Sequence, residues 1–117
     1  MSTRSQGNLG EDQAVTFLKS KNYKILERNF RSKFGEIDII ARDGKCLVFC
    51  EVKMRSTDIF GTPGEAITPA KLQKIILTLH WYMQTKSLEG QEFRVDAIEV
   101  VNLNGNLTIN HIKNITM

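Results

Sequence analysis

The stretch from Phe34 to Lys53 constrains the fold more than any other part of this chain. Phe34-Gly35-Glu36-Ile37-Asp38-Ile39-Ile40-Ala41 begins by alternating polar with apolar residues, the period-two signature of a strand with one buried face. Asp43-Gly44 follows, a dipeptide suited to a two-residue hairpin turn. Lys45-Cys46-Leu47-Val48-Phe49-Cys50-Glu51-Val52-Lys53 reads as a second strand, apolar on both faces until its end. A strand with no polar face belongs in the middle of a sheet.

With Asp43 and Gly44 as the turn, Arg42 faces Lys45, Ile40 faces Leu47, Asp38 faces Phe49 and Glu36 faces Glu51. Directly opposed side chains project from the same side of a sheet. Glu36, Asp38, Glu51 and Lys53 therefore share one face, with Asp38 and Glu51 as diagonal neighbours. A slip of one residue would undo this arrangement.

The flanking sequence supplies the other elements. A helix fits Leu9 to about Lys21, because Glu11, Ala14, Val15 and Leu18 recur at helical spacing. Asn22 is a stop, and a weaker strand fits Tyr23 to Arg31. Residues 54–68 read as a loop punctuated by Gly61, Pro63 and Gly64. Thr68-Pro69 is an N-cap with proline at the first helical position. The helix it opens runs to about Lys86, with Leu72, Ile75, Ile76, Leu79 and Met83 on one stripe. Phe93 to Val101 and Leu107 to Ile112 are strands joined through an Asn104-Gly105 turn. The strand after the long helix can return parallel to the Lys45–Lys53 strand. The order α-β-β-β-α-β-β predicts an α/β fold, a three-layer α/β/α sandwich with a central mixed sheet. At 117 residues, one domain spanning 1–117 is expected.

The class of protein is bounded by what is missing. No apolar run approaches the roughly 18 residues of a membrane span, and the first seven residues do not resemble a signal peptide. Cys46 and Cys50, four apart on a strand, would lie about 13 Å from each other, too far for a disulfide. Buried free thiols suit a reducing compartment, so the cytoplasm is expected. The net charge is +3, and residues 1–33 hold seven basic against three acidic side chains. A basic third of this kind is either a solvated face or a surface for a polyanion.

The chemistry concentrates at the end of the central strand. Acids and a lysine there are costly to bury unless they pair with one another or hold a metal. Asp38 and Glu51 offer hard oxygen ligands suited to Mg²⁺ or Mn²⁺. Lys53, on the same face, could orient or help deprotonate a water. The alternative is a structural Glu51–Lys53 pair. Glu11 lies on the inward stripe of the first helix, where a third ligand or water anchor would sit; a simpler role is to favour the helix macrodipole. Arg31, Arg55, Lys71 and Lys74 are candidate phosphate contacts. Arg94 and Asp96 share a strand face and could pair. His80 and His111 have no partner at ligand spacing, and Trp81 and Tyr82 read as packing residues.

Glu11, Gly35-Glu36-Ile37-Asp38 and Glu51-Val52-Lys53 together resemble the metal site of the restriction-endonuclease-like superfamily, often called PD-(D/E)xK. Gly10-Glu11, Arg28-Asn29-Phe30-Arg31, Gly35 to Ala41, Phe49 to Arg55 and Arg94-Val95-Asp96 more closely resemble the YraN-like family of bacterial proteins, from about Gly7 to Val101. Archaeal Holliday-junction resolvases are among the similar superfamily members. The resemblance implies a restriction-endonuclease-like fold and Mg²⁺-dependent hydrolysis of phosphodiester bonds in DNA, including branched structures. It makes Asp38 and Glu51 metal ligands, Lys53 the catalytic lysine and Glu11 a supporting acid. A homodimer is implied if the substrate is a symmetric junction. A module that keeps this fold and binds nucleic acid without chemistry is the competing expectation.

Overall fold

The computed structural model describes residues 4–55 and 67–116. Its elements are α1 (Arg4–Ser20), β1 (Lys24–Ser32), β2 (Gly35–Asp43), β3 (Cys46–Arg55), α2 (Pro69–Thr85), β4 (Phe93–Leu103) and β5 (Asn106–Ile112). All seven stand in the expected order. α1 starts five residues before Leu9. Met54 and Arg55 extend β3 rather than beginning a loop. Residues 56–66 of the expected loop, with Gly61, Pro63 and Gly64, lie outside the described residues.

Local chemistry fixes the helix ends. Thr68 caps α2 by accepting the Lys71 N–H on its hydroxyl at 3.1 Å, and Pro69 follows in the first turn. Both helices end in the same device. Tyr23 N–H reaches the Leu18 carbonyl and Asn22 N–H that of Lys19, with Asn22 in the left-handed region at φ 70°. Leu88 N–H reaches Met83 and Ser87 N–H reaches Gln84, with Ser87 at φ 58°. These six-to-one and five-to-two bonds satisfy carbonyls that a helix end leaves open.

The five strands form one mixed sheet in the order β1-β2-β3-β4-β5. β3 pairs parallel with β4, and the other neighbours are antiparallel. The doubly apolar strand is thus central. Alternate residues of β3 enter two different cores: Leu47 and Phe49 pack with Ile75, Leu79, Tyr82 and Met83 of α2, while Val48 and Cys50 pack with Ala14 and Leu18 of α1. Full burial of Phe49 alone contributes about 1.5–3 kcal/mol.

The hairpin register differs from expectation by two residues. Asp43 pairs with Cys46, Arg42 with Leu47 and Ile39 with Cys50, so the turn residues are Gly44, at φ 60°, and Lys45. The pairing gains one step because Asp43 continues β2 instead of turning. An even offset preserves faces, and Asp38 and Glu51 are the residues next beyond the last pair, Ile39 with Cys50.

One irregularity bears on the site. Ile37 belongs to the core of α2 and Ile39 to that of α1, although strict alternation would put both on one face. The break falls at Asp38. Across the β1–β2 ladder, between the pairs Arg28–Ile39 and Phe30–Ile37, stands Asn29 in the left-handed region at φ 54°.

Candidate active site

Asp38 lies just beyond the last paired residues of β2 and β3. Its Oδ2 accepts the Val52 N–H at 2.8 Å. A side-chain carboxylate thus serves a β3 donor where the backbone ladder has ended, which pins the carboxylate between the two strands. Glu51, one residue earlier on β3, is buried, with its side chain 7% exposed. A cavity of about 150 Å³ opens here, lined by Gly35, Glu36, Asp38, Glu51, Lys71, Lys74 and Ile75. Gly35 lies beneath the helix α2; a Cβ there would stand 3.4 Å from Lys74 Cβ and Thr78 Oγ1, in ordinary van der Waals contact.

Electrostatics follow from the geometry. Burial, and then repulsion from Glu51, push the Asp38 carboxyl up to about 7. The charges of Glu11 and Glu36 act in the same direction, and the Val52 hydrogen bond opposes them. Glu51 Oε2 receives two ammonium groups: Lys71 Nζ is in direct contact, and Lys53 Nζ stands 4.0 Å away. The two lysines respond differently. Lys53 is lowered by its hydrogen bond with Lys71, by burial and by the Lys71 charge. Burial pulls Lys71 down too, but its hydrogen bonds to Glu51 and Lys53 win and its pKa is raised. Lys53 is therefore the amine that gives up its proton more readily, the property a water-activating base needs.

The structure brings Asp38, Glu51, Lys53 and Lys71 together. Glu36 lines the cavity but pairs with Arg31 at 2.8 Å. Glu11 sits close to the end of β3, because α1 approaches it so tightly that a Cβ on Gly10 would fall 2.9 Å from Met54 Sδ. Its Oε1 is turned toward Arg28, 3.6 Å from Nη2, and has no hydrogen bond. Among the described residues, no three His, Cys, Asp or Glu side chains gather as a metal-binding group. The donor set is two carboxylates, Asp38 and Glu51, lining a small cavity. That set fits a hard divalent ion such as Mg²⁺, which binds through one or two carboxylates and keeps several waters; Glu11 is not part of it.

Of the four candidate phosphate contacts, Lys74 lines the cavity and the other three separate. Arg31 is exposed on β1. Arg55 Nε lies 2.5 Å from Glu99 Oε2, a buried carboxylate on β4. Lys71 faces into the cavity as the partner of Glu51, a role that its spacing in sequence did not announce.

A second polar cluster was half legible. Arg94 and Asp96 do pair, at 3.0 Å, but in company with His111, whose Nε2 lies 2.7 Å from Asp96 Oδ2. Asn114 N–H donates to Oδ1 at 2.9 Å, and Arg94 Nη2 donates to the Tyr23 hydroxyl at 2.6 Å. Asp96 is fully buried. Burial works to raise its pKa, and the bonds from His111, Asn114 and Arg94 overcome it, so the pKa is lowered. Counting back from the Asn104-Gly105 turn, through the pair Ile98–His111, makes His111 a diagonal neighbour of Asp96; the same count applied to the other hairpin finds this contact. Cys46 and Cys50 are free thiols.

This fold and this pair of acids lie within a recognised group of sequences. The chain belongs to the family described as Uncharacterised protein family UPF0102, whose family model matches residues 10–100. It is 46% identical to a UPF0102 protein of Persephonella marina over 93% of this chain and 90% of the relative. The identity is 46% to a UPF0102 protein of Caldicellulosiruptor saccharolyticus, covering 97% of this chain and 98% of the relative. It is 49% to one of Clostridium botulinum, covering 92% and 90%. The family-level resemblance read from the motifs is borne out. No helix among the described residues is long and apolar enough to cross a membrane.

Proposed function

We propose that this protein is a metal-dependent nuclease of the restriction-endonuclease-like superfamily, with a three-layer α/β/α arrangement, hydrolysing phosphodiester bonds in DNA. The observation that carries the reading is that Asp38 and Glu51 line one cavity just beyond the last paired residues of β2 and β3, with Lys53 4.0 Å from Glu51. A bound Mg²⁺ or Mn²⁺ would hold a phosphate oxygen and make a bound water more acidic. The chain's own residues do the rest. Asp38 is held by Val52 N–H and Glu51 by its place on the central strand, so the two ligands need little rearrangement. Lys53, with its pKa lowered, would orient the water and, in its unprotonated form, take its proton. The cavity admits water but is too small for a nucleotide, so DNA would cross its mouth with one phosphate over the acids.

The test is a cleavage assay on junction, flap, single-stranded and duplex DNA, with Mg²⁺ or Mn²⁺ and with chelator. Cleavage that needs the ion and is lost in Glu51→Gln and Lys53→Met supports the reading. No cleavage and no binding on any of these at low salt overturns it. The second reading, a nucleic-acid-binding module without chemistry, is favoured by one observation: Lys71 already neutralises Glu51. Ion-independent binding without cleavage would select it. If a symmetric junction is the preferred substrate, a homodimer in solution is expected, because two strands need two sites related by a two-fold axis.

A further inference from the structure

The arrangement around Glu51 raises a question about Lys71. One buried carboxylate oxygen bears two ammonium groups, while Asp38, lining the same cavity, forms no ion pair with a lysine or arginine among the described residues. Asp38, Glu51, Lys53 and Lys71 are formally neutral together when all are ionised. A divalent ion added to that set would leave two excess positive charges in a half-enclosed cavity, an arrangement the low local dielectric penalises. One ammonium has to leave. The two lysine side chains are about equally exposed, but only Lys71 is in direct contact with Glu51 Oε2, the atom an ion would take, whereas Lys53 stands 4.0 Å from it. Lys71 stands in the first turn of α2 on a long side chain that is 38% exposed, and a rotation about its own bonds takes the ammonium to the rim, beside Lys74.

We infer that Lys71 is the built-in counter-cation of this site, occupying on Glu51 the position of a divalent ion and exchanging with it. The inference rests on the metal-site reading and adds a specific role to it. With the ion absent, Lys71 neutralises Glu51 and keeps the acid pair from repelling itself apart. With the ion bound, Lys71 is released to the mouth of the cavity, where a phosphate of the substrate can receive it. The ion and the DNA backbone would then act in concert, since whatever draws Lys71 outward favours the ion, and the converse follows by linkage. The candidate phosphate contact and the observed Glu51 partner become two positions of one side chain.

The experiment is calorimetric titration of the full chain with Mn²⁺ alone, without DNA. Lys71→Met should bind the ion roughly tenfold more tightly than the wild type, and Lys71→Arg should bind it about as the wild type does. A second measurement needs no variant. Brief labelling with acetic anhydride, read by mass spectrometry, should modify Lys71 several-fold more in the presence of Mn²⁺, while exposed Lys19 on α1 stays constant. Equal or weaker binding by Lys71→Met, or labelling of Lys71 that ignores the ion, overturns the exchange. If the isotherm disappears in Asp38→Asn yet does not respond to Lys71, only the exchange fails and the site stands. If neither the wild type nor Lys71→Met binds Mn²⁺, both fall together.

Discussion

Asp38 accepts the backbone N–H of Val52 at 2.8 Å, so a side chain closes the ladder between β2 and β3 where the last backbone pair, Ile39 with Cys50, leaves off. The bond gives Asp38 a structural duty in addition to its place beside Glu51. The two duties have opposite energetic signs. Accepting the amide stabilises the fold; carrying a charge next to Glu51 in a partly dry pocket destabilises it.

Asp38→Asn separates the two effects, because asparagine keeps an oxygen to accept the amide. The folded-state carboxyl is raised to about 7 from an ordinary 3.8. The folded state therefore holds the proton that the unfolded state has lost, and stability falls as pH rises from about 4 to about 7. At pH 8 and in chelator, Asp38→Asn should be more stable than wild type by on the order of 1 kcal/mol. At pH 4 the difference should vanish. Asp38→Ala should lose stability at both, since it orphans the Val52 amide. Urea melts across this range are the measurement, and a variant whose deficit is independent of pH would assign Asp38 to structure alone.

Asp96 has the opposite pH sign. Its pKa is lowered in the fold, so its contribution is present above the unfolded carboxylate pKa and is lost as pH falls through the folded one. Asp96→Asn at pH 7 should cost about 1–3 kcal/mol, because it weakens the charged hydrogen bonds to buried Asp96 while Arg94 keeps Asp43 as a carboxylate partner. The double variant Arg94→Met, Asp96→Asn should recover part of that loss. Melts of the three variants at pH 7 check the ordering, and additive losses would mean that the pair is not coupled.

Arg31 and Arg55 should behave differently toward DNA. Arg31→Ala is expected to flatten the slope of log affinity against log salt on duplex DNA by about 0.9, the value for one phosphate contact. Arg55→Ala is expected to leave the slope unchanged and to lower stability by about 1–3 kcal/mol, because Glu99 is buried with Arg55 against it. A gel-shift series at several salt concentrations, paired with a thermal melt, reads both. A changed slope in Arg55→Ala would reassign that residue to the interface.

The helix ends offer a stability test away from the site. Ser87 holds a left-handed backbone at φ 58° with an ordinary side chain, at a cost of about 1–2 kcal/mol. Ser87→Gly should raise stability by up to about 1 kcal/mol, glycine giving back some of the gain through its freer unfolded chain. Asn22→Gly should gain less, because asparagine tolerates this region better. Thermal midpoints of the two variants, measured side by side, decide the ordering.

Much of the site was legible because strand alternation is short-ranged and survives an even error. Reading Asp43-Gly44 as the turn displaced the register by two, yet Asp38 and Glu51 stayed on one face. The break of alternation at Asp38 was not legible: it falls across the ladder from Asn29, whose left-handed conformation no local pattern announces. Glu11 was correctly placed on the buried stripe of α1, but the direction of its carboxylate depends on Arg28 of β1, seventeen residues away. Lys71 looked like any surface lysine in a first helical turn. Its partner is twenty residues distant, and the packing of α2 on the sheet brings the two together.

The Asp96 cluster also bears on the order in which the molecule can assemble. β4 lies between β3 and β5, yet its buried acid is satisfied by His111 and by the amide of Asn114, and the next amide, Ile115, donates to Val95 at 2.8 Å. As the chain emerges from a ribosome, the β1–β3 meander can pair and α1 can dock while the partners of Asp96 are still unmade. Until residues 111–115 arrive, β4 carries into the sheet a carboxylate that only the guanidinium of Arg94 answers. The middle of this sheet is thus sealed from its far end, and the amides of β4 should exchange with solvent in step with those of the closing segment rather than with those of β2.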